Sequence, residues 1–415
     1  MYIKTFLSNG IPIVMEQMEG IRSISIGIWM KAGSRYEPAY LQGISHFLEH
    51  MFFRGTKKRT SKEIAIEIDS LGGELNAFTT KEFTGFYAKV LDEHAGIAID
   101  ILTDMLANSI FNEGDIEKEK AIVLEEIKGA EDTPDEYIHD IFDETVWGNT
   151  GLGQNILGSN DIISTFSRDH LLSYIRKAYC VEDIVISAAG NFDPKKITAY
   201  FNNSINSIEK RDMSITCLKT EFRNQFRVQY KELSEVHICL GFESLSMAHE
   251  KRYHLNLLNA ILGSGMSSRL FQEIREKRGL AYSIYSFLNS YHDTGILGVY
   301  VGTRKEQVNN VVELILKEMF QIRYNVTDVE LKRAKEQLKG NLVLAMESSI
   351  YRMSNIAKQE IYMDRYYTIS EVIEAIKSVT LKDIEEVADT IIKENSFGLT
   401  ILGPFEEEAL QLPVT

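Results

Sequence analysis

His46-Phe47-Leu48-Glu49-His50 is the stretch on which the reading of this 415-residue chain turns. Positions 46 and 50 are one helical turn apart, so on a helix both imidazoles leave the same face, and Glu49 lies close to it. Two neutral imidazoles beside an acid are the parts of a hydrolytic zinc site: two ligands, and a base for the proton of an attacking water. Such a site needs a third protein ligand and an open position. The acid-rich stretch 113–140 offers candidates. In it Glu119 and Glu126 are seven residues, two helical turns, apart and share a face. Spacing alone does not choose between Glu125 and Glu126, and most of the other acids there read as a solvated, salt-bridged helix face.

Around this motif the chain has the composition of a globular protein, with 44% hydrophobic and 25% charged residues, and it is long enough for two or three domains. The net charge of −15 argues against non-specific nucleic-acid binding. Cys180, Cys217 and Cys239 are odd in number and lack C-x-x-C spacing, which reads as reduced thiols and not as a disulfide framework. The N-terminal residues have neither a basic segment followed by an apolar one nor an Arg- and Ser-rich import pattern. No window approaches 18 uninterrupted apolar residues. The expectation is a cytoplasmic, bacterial protein with no membrane partner.

Residues 11–15 and 23–30 read as strands of one sheet, with Pro12 marking a strand start or an edge. A helix over residues 41–53 carries the motif. The next opens on the capping-box pattern of residues 60–63 and closes at Gly72-Gly73. A hairpin over 74–80 and 83–90, helices over 93–108 and 113–143, and a strand over 183–189 follow. The rhythm of GFYAKVLDEHAGIAIDILTDML (85–106) returns in GVYVGTRKEQVNNVVELILKEM (298–319), and that of residues 111–127 returns in 325–342. A repeat at this distance indicates a duplicated domain, not a solenoid. In the overlay the motif falls near residues 254–258, which lack its ligands. The expected fold is therefore α+β: two similar domains, each a mostly antiparallel sheet packed with helices. The expected boundaries are 1–210 for the metal-binding domain, 211–227 for a linker and 228–415 for the metal-free copy.

Four separated motifs stand in order: GISHFLEHMFFRGTKKRT (43–60), GGELNAFTTKEFTGFYAKV (72–90), EKEKAIVLEEI (117–127) and GSGMSSRLFQEIREKRGLAYSIYS (263–286). On these the chain resembles the pitrilysin superfamily of inverted zincins, H-x-x-E-H, and within it the bacterial relatives of the mitochondrial processing peptidase β-subunit. The resemblance implies a zinc metalloendopeptidase with Glu126 as third ligand, 76 residues beyond His50, and Glu119 supporting the site from behind. It implies that Asn76 and Ala77 meet the substrate backbone as an added strand. Arg275 and Tyr282 would hold the substrate and help polarise the scissile carbonyl.

Glu136 and Asp140 match acids that receive a substrate arginine, and Phe53 matches an aromatic residue lining the pocket just after the cut. The implied preference is basic at P2 and bulky apolar at P1′. Gly263-Ser264-Gly265 is too short for the glycine-rich loop of the processing peptidase's partner subunit, which favours a broader oligopeptidase. Family members enclose peptides between four such domains, so this chain would be half of a clamshell that closes as a homodimer, with Arg275 and Tyr282 serving the other subunit. The ligand set favours Zn2+, with Co2+ or Mn2+ as other occupants. The rival readings are a non-catalytic scaffold or binding subunit, and a zinc hydrolase of another bond.

Overall fold

The computed structural model describes residues 1–205 and 220–411, so Cys217 and most of the expected linker lie outside the described residues. Among those described, eleven strands form in chain order: β1 (Tyr2–Phe6), β2 (Pro12–Gln17), β3 (Ser23–Met30), β4 (Glu74–Thr79), β5 (Thr84–Leu91), β6 (Ile184–Gly190), β7 (Phe226–Tyr230), β8 (Val236–Ser244), β9 (Ala281–Ser290), β10 (Gly295–Thr303) and β11 (Phe397–Gly403). The helices are α1 (Ile44–Phe52), α2 (Ser61–Ser70), α3 (Ala95–Asn108), α4 (Glu113–Glu131), α5 (Pro134–Trp147), α6 (Asn160–Ile163), α7 (Arg168–Ala178), α8 (Pro194–Ser204), α9 (Arg252–Leu262), α10 (Val308–Gln321), α11 (Asp328–Ala345), α12 (Ser349–Met363), α13 (Ile369–Ser378) and α14 (Leu381–Ile391).

Local chemistry explains the punctuation. Pro12 opens β2, where its missing N–H costs no ladder bond of that strand's interior. Thr60 and Glu63 form the reciprocal capping box that starts α2. The single helix expected over 113–143 is two helices, and Pro134 is the reason. The residue before it, Thr133, is forced off helical geometry (φ −112°, ψ 83°), and Pro134 then serves as the first residue of α5. β1 carried no signal strong enough to be read as a strand.

The chain folds as two compact units, each assembled from three segments. The first comprises Met1–Gly129, Thr150–Leu218 and Leu344–Tyr366; the second comprises Ala130–Asn149, Lys219–Val343 and Tyr367–Thr415. The sheets follow the two halves of the sequence, but α12, from the second half, belongs to the first unit, and α5, from the first half, belongs to the second.

In the first unit the sheet order is β1-β2-β6-β3-β5-β4, parallel only between β2 and β6. Alternation along β3 sends Ile24, Ile26 and Ile28 into a core with Phe47, Leu48 and Phe52 of α1 and with α3. The opposite face presents Trp29, with Val14, Val185 and Ala189, to Met353, Ile356 and Ala357 of α12. The helix approaches so closely that a Cβ on Gly27 would lie 2.5 Å from the Met353 sulfur and 2.7 Å from the Trp29 ring nitrogen, so a side chain there would have to displace them.

In the second unit the order is β7-β11-β8-β10-β9, parallel only between β7 and β11. This repeats β2-β6-β3-β5-β4 strand for strand, in the same senses. α9 stands between β8 and β9 as α1 stands between β3 and β4. α5 packs on β8 and β11, with Thr145 bonded to Thr400 at 3.1 Å. The two architectures are the same, and α1 alone carries the histidine pair.

Candidate metal centre

α1 begins at Gly43, held at φ +90°, and its apolar positions Ile44, Phe47, Leu48, Met51 and Phe52 are buried in the first core. That registry leaves His46, Glu49 and His50 on the remaining face. The two rings lie 4.6 Å apart by centroid. α4 brings Glu126 to them, with its Oε2 3.8 Å from His46 Nε2 and 3.6 Å from His50 Nε2. Glu125, one position earlier, points elsewhere and pairs with Lys128 at 2.6 Å on the surface. The alternatives left open by spacing thus take different places in the fold.

Among the described residues, His46, His50 and Glu126 form the one group of three potential ligands whose donor atoms all fall within 4.8 Å of one another. Ligand atoms about 2.0–2.1 Å from a tetrahedral ion sit about 3.3 Å from each other. The two separations to Glu126 are a few tenths of an ångström above that and the third lies within 4.8 Å, so the donor set suits a tetrahedral divalent metal. At His46 the electrostatics agree. Burial, with His50 alongside, lowers the His46 pKa to about 4, which keeps the imidazole neutral and able to ligate. At His50 burial acts downward, but the bond to Glu119 and the charges of Glu126, Glu119 and Glu49 outweigh it and raise the pKa.

Glu119, its side chain only 1% exposed, accepts a hydrogen bond from His50 Nδ1 at 2.8 Å and is paired through its other oxygen with the Arg54 guanidinium. With the proton on Nδ1, the lone pair of Nε2 faces Glu126, as a ligand must. Burial works to raise the Glu119 pKa, yet the bonds from His50 and Arg54 and the Arg54 charge bring it below the ordinary value. Glu119 is an anion that fixes the tautomer and orientation of His50.

Glu49 accepts a 2.6 Å hydrogen bond from Thr79 Oγ1 to its Oε2. Burial raises its pKa, against the Thr79 bond and the His50 charge. The Thr79 hydroxyl thus holds one of the two carboxylate oxygens, Oε2. Glu49, His50, Phe53, Arg54 and Glu119 line a cavity of about 270 Å³ on this unit. Asn76 and Ala77 lie on β4, an edge of the sheet, and among the described residues they pair across the ladder with Tyr87 and Phe86 of β5 alone.

The remaining expected site residues belong to the second unit. Arg275 sits in a π-helical turn, Phe271–Glu276, with its guanidinium 4.8 Å above the Phe271 ring and 5.2 Å from the ring of Tyr282. Tyr282, on edge strand β9, is 78% exposed, so its hydroxyl is free to meet a ligand. Glu136 and Asp140 stand one turn apart on α5. Thr79 and Arg54 were not foreseen. Strand alternation could have found Thr79, which shares a face of β4 with Ala77; no local signal pointed to Arg54.

Residues 12–160 match the family described as "Insulinase (Peptidase family M16)", and residues 165–338 match its "Peptidase M16 inactive domain". The chain is 41% identical over 400 residues to a protein of Bacillus subtilis named "Uncharacterized zinc protease YmxG", covering 95% of this chain and 97% of that one. It is 37% identical over 414 residues to a similarly named zinc protease of Streptomyces coelicolor, covering 98% and 90%. In fold it is similar to a protease from Helicobacter pylori (TM-score 0.90, 20% identity, 97% of this chain and 99% of that one). It is also similar to a "peptidase M16 inactive domain" structure from Pseudomonas fluorescens (TM-score 0.91, 16% identity, 99% and 100%). With two family matches in tandem and a relative this similar along nearly its whole length, the chain belongs to peptidase family M16, within the pitrilysin superfamily of metallopeptidases.

Proposed function

We propose that the chain is a zinc-dependent endopeptidase or oligopeptidase that cleaves unfolded peptides. The observation that carries this reading is the convergence of His46, His50 and Glu126 on one point, with Glu49 on the same face of α1 as the two histidines. The family membership and the names of the similar proteins support it. His46, His50 and Glu126 would hold the ion. When bound, it supplies an acidified water and a Lewis acid for the scissile carbonyl. Glu49 takes the water's proton on its carboxylate and returns it to the leaving amine, while Thr79 keeps the carboxylate pointed. Glu119 holds His50 in register, and Arg54 holds Glu119.

The substrate backbone adds to β4 at Asn76 and Ala77, on the outer edge of the sheet, where it would replace the 2.9 Å bond that the Ala77 N–H now donates to Asn76 Oδ1. Phe53 lines the pocket for a bulky apolar P1′ residue, and Glu136 and Asp140 receive a basic P2 side chain. The working assembly is a cytoplasmic homodimer closed around a chamber, with the partner's Arg275 and Tyr282 completing each site. Zn2+ is the favoured ion, and Co2+ or Mn2+ would suit the same donors less selectively.

Incubating the purified protein with a mixed peptide library, with and without chelator, tests the activity by mass spectrometry. Cuts that vanish with chelator, return with zinc and cluster at bonds whose P2 residue is basic are expected. Intact peptides at one bound zinc per chain would sink the peptidase and favour the scaffold reading. Mixing a Glu49→Gln chain with a Tyr282→Phe chain tests the dimer. One site of each heterodimer then keeps both groups, so activity should rise above both parents; no rise despite proven exchange of subunits would rule out assembly in trans.

A further inference from the structure

The two histidines are held in different ways. His50 has Glu119 on its Nδ1, so its ring is oriented through its own side chain. His46 Nδ1 is buried and, among the described residues, has no hydrogen-bond partner. Its ring is therefore placed by packing and by the backbone from which it springs, which is the first turn of α1. The cap residue of that helix, Gly43, has no side chain to satisfy the first-turn amides.

The missing cap comes from six residues upstream. Glu37, 5% exposed, accepts the Gly43 N–H at Oε2 and the Ser45 N–H at Oε1, both at 2.7 Å. One carboxylate thus pins the backbone on both sides of Ile44, and Ser45 is the residue immediately before His46. Gly43 is itself wedged: a Cβ there would lie 2.7 Å from the Leu157 carbonyl oxygen. An acid in this place is costly to the fold. Burial pushes the Glu37 pKa up to about 7, against the Ser45 and Gly43 bonds and the Lys81 charge. An ordinary Ser or Asp at the cap position would satisfy the amides from the helix's own end, whereas Glu37 ties them to the preceding segment.

We infer that Glu37 is the positioning residue for His46: it fixes the first turn of α1 and so sets where His46 Nε2 stands, as Glu119 does for His50. The inference rests on the reading of His46 as a metal ligand. Together the two acids would clamp α1 at both ends.

The test measures Zn2+ affinity by chelator competition and the visible absorption of the Co2+-loaded protein, for wild type, Glu37→Gln, His46→Ala and Phe201→Leu. Glu37→Gln keeps the shape but turns an N–H toward one of the two amides. Phe201→Leu loosens the same core in α8, away from the site, and controls for general destabilisation. The expected result is Zn2+ binding weakened about tenfold or more in Glu37→Gln. Its Co2+ spectrum should also change, while Phe201→Leu keeps wild-type affinity and spectrum. Glu37→Asp, which keeps the charge and shortens the reach by one methylene, gives the readout if Glu37→Gln does not fold. Wild-type affinity and spectrum in the Glu37 variant, with binding lost in His46→Ala, would overturn this inference and leave the metal centre standing. Unweakened binding in His46→Ala would overturn both.

Discussion

Glu49→Gln is expected to lower kcat by about 10²–10⁴-fold, the range for loss of a positioned general base, while zinc content and the fold are retained. The carboxamide fills the same space, and its oxygen can still accept the Thr79 hydroxyl that now donates at 2.6 Å. What it lacks is an atom able to take a proton and give it back. Because burial disfavours the charged form of Glu49 in the native protein, the substitution removes a cost, and the melting temperature should hold or rise. Peptide turnover, metal content per chain and thermal unfolding, measured on the same preparation, check all three parts. Turnover at the wild-type rate would remove Glu49 from the mechanism. Loss of metal with loss of rate would instead make it part of the ion's support.

The second large effect concerns folding. Residues 1–205 expressed alone are expected to lack cooperative unfolding and to aggregate, although they contain the whole first sheet and every expected metal ligand. The face of that sheet formed by Val14, Trp29, Val185 and Ala189 is covered by Met353, Ile356 and Ala357 of α12. Each large apolar side chain buried there is worth about 1.5–3 kcal/mol, and total domain stability is only about 5–15 kcal/mol. α12 also buries a Ser349–Ser25 contact at 2.9 Å and an Arg352–Glu16 ion pair at 2.7 Å. In the full chain Met353→Ala should cost about 2–5 kcal/mol in urea unfolding. A fragment of residues 1–205 that unfolds cooperatively and binds zinc like the full protein would show that α12 is dispensable.

Much of the site was legible because a helix is a local object. The spacing of His46, Glu49 and His50 is enough to put them on one face, and the seven-residue interval does the same for Glu119 and Glu126. The repeat was legible as well, since strand and helix periods survive divergence: residues 85–106 and 298–319 became β5–α3 and β10–α10, at equivalent places in two sheets of the same order. The same locality misled over residues 113–143, where an unbroken polar rhythm concealed the stop imposed by Pro134.

Three things required the tertiary structure. The resemblance implied Glu126 over Glu125, but the physical reason, the rotation of α4 against α1 by about 100° per residue, is one that helical spacing alone does not report. The supports of the site are pairs distant in sequence or set by turn geometry: Thr79 with Glu49, Arg54 with Glu119, and Glu37 with the amides of Gly43 and Ser45. The exchange of α5 and α12 was also hidden. An amphipathic helix states in its sequence that it has a face to bury, but not which sheet will cover it. By itself the sequence determined most elements of the first half, their repeat in the second, and which chemistry α1 can carry. Packing decided which acid reaches the histidines and which helix completes each unit, because that choice lies in surfaces meeting across hundreds of residues of chain.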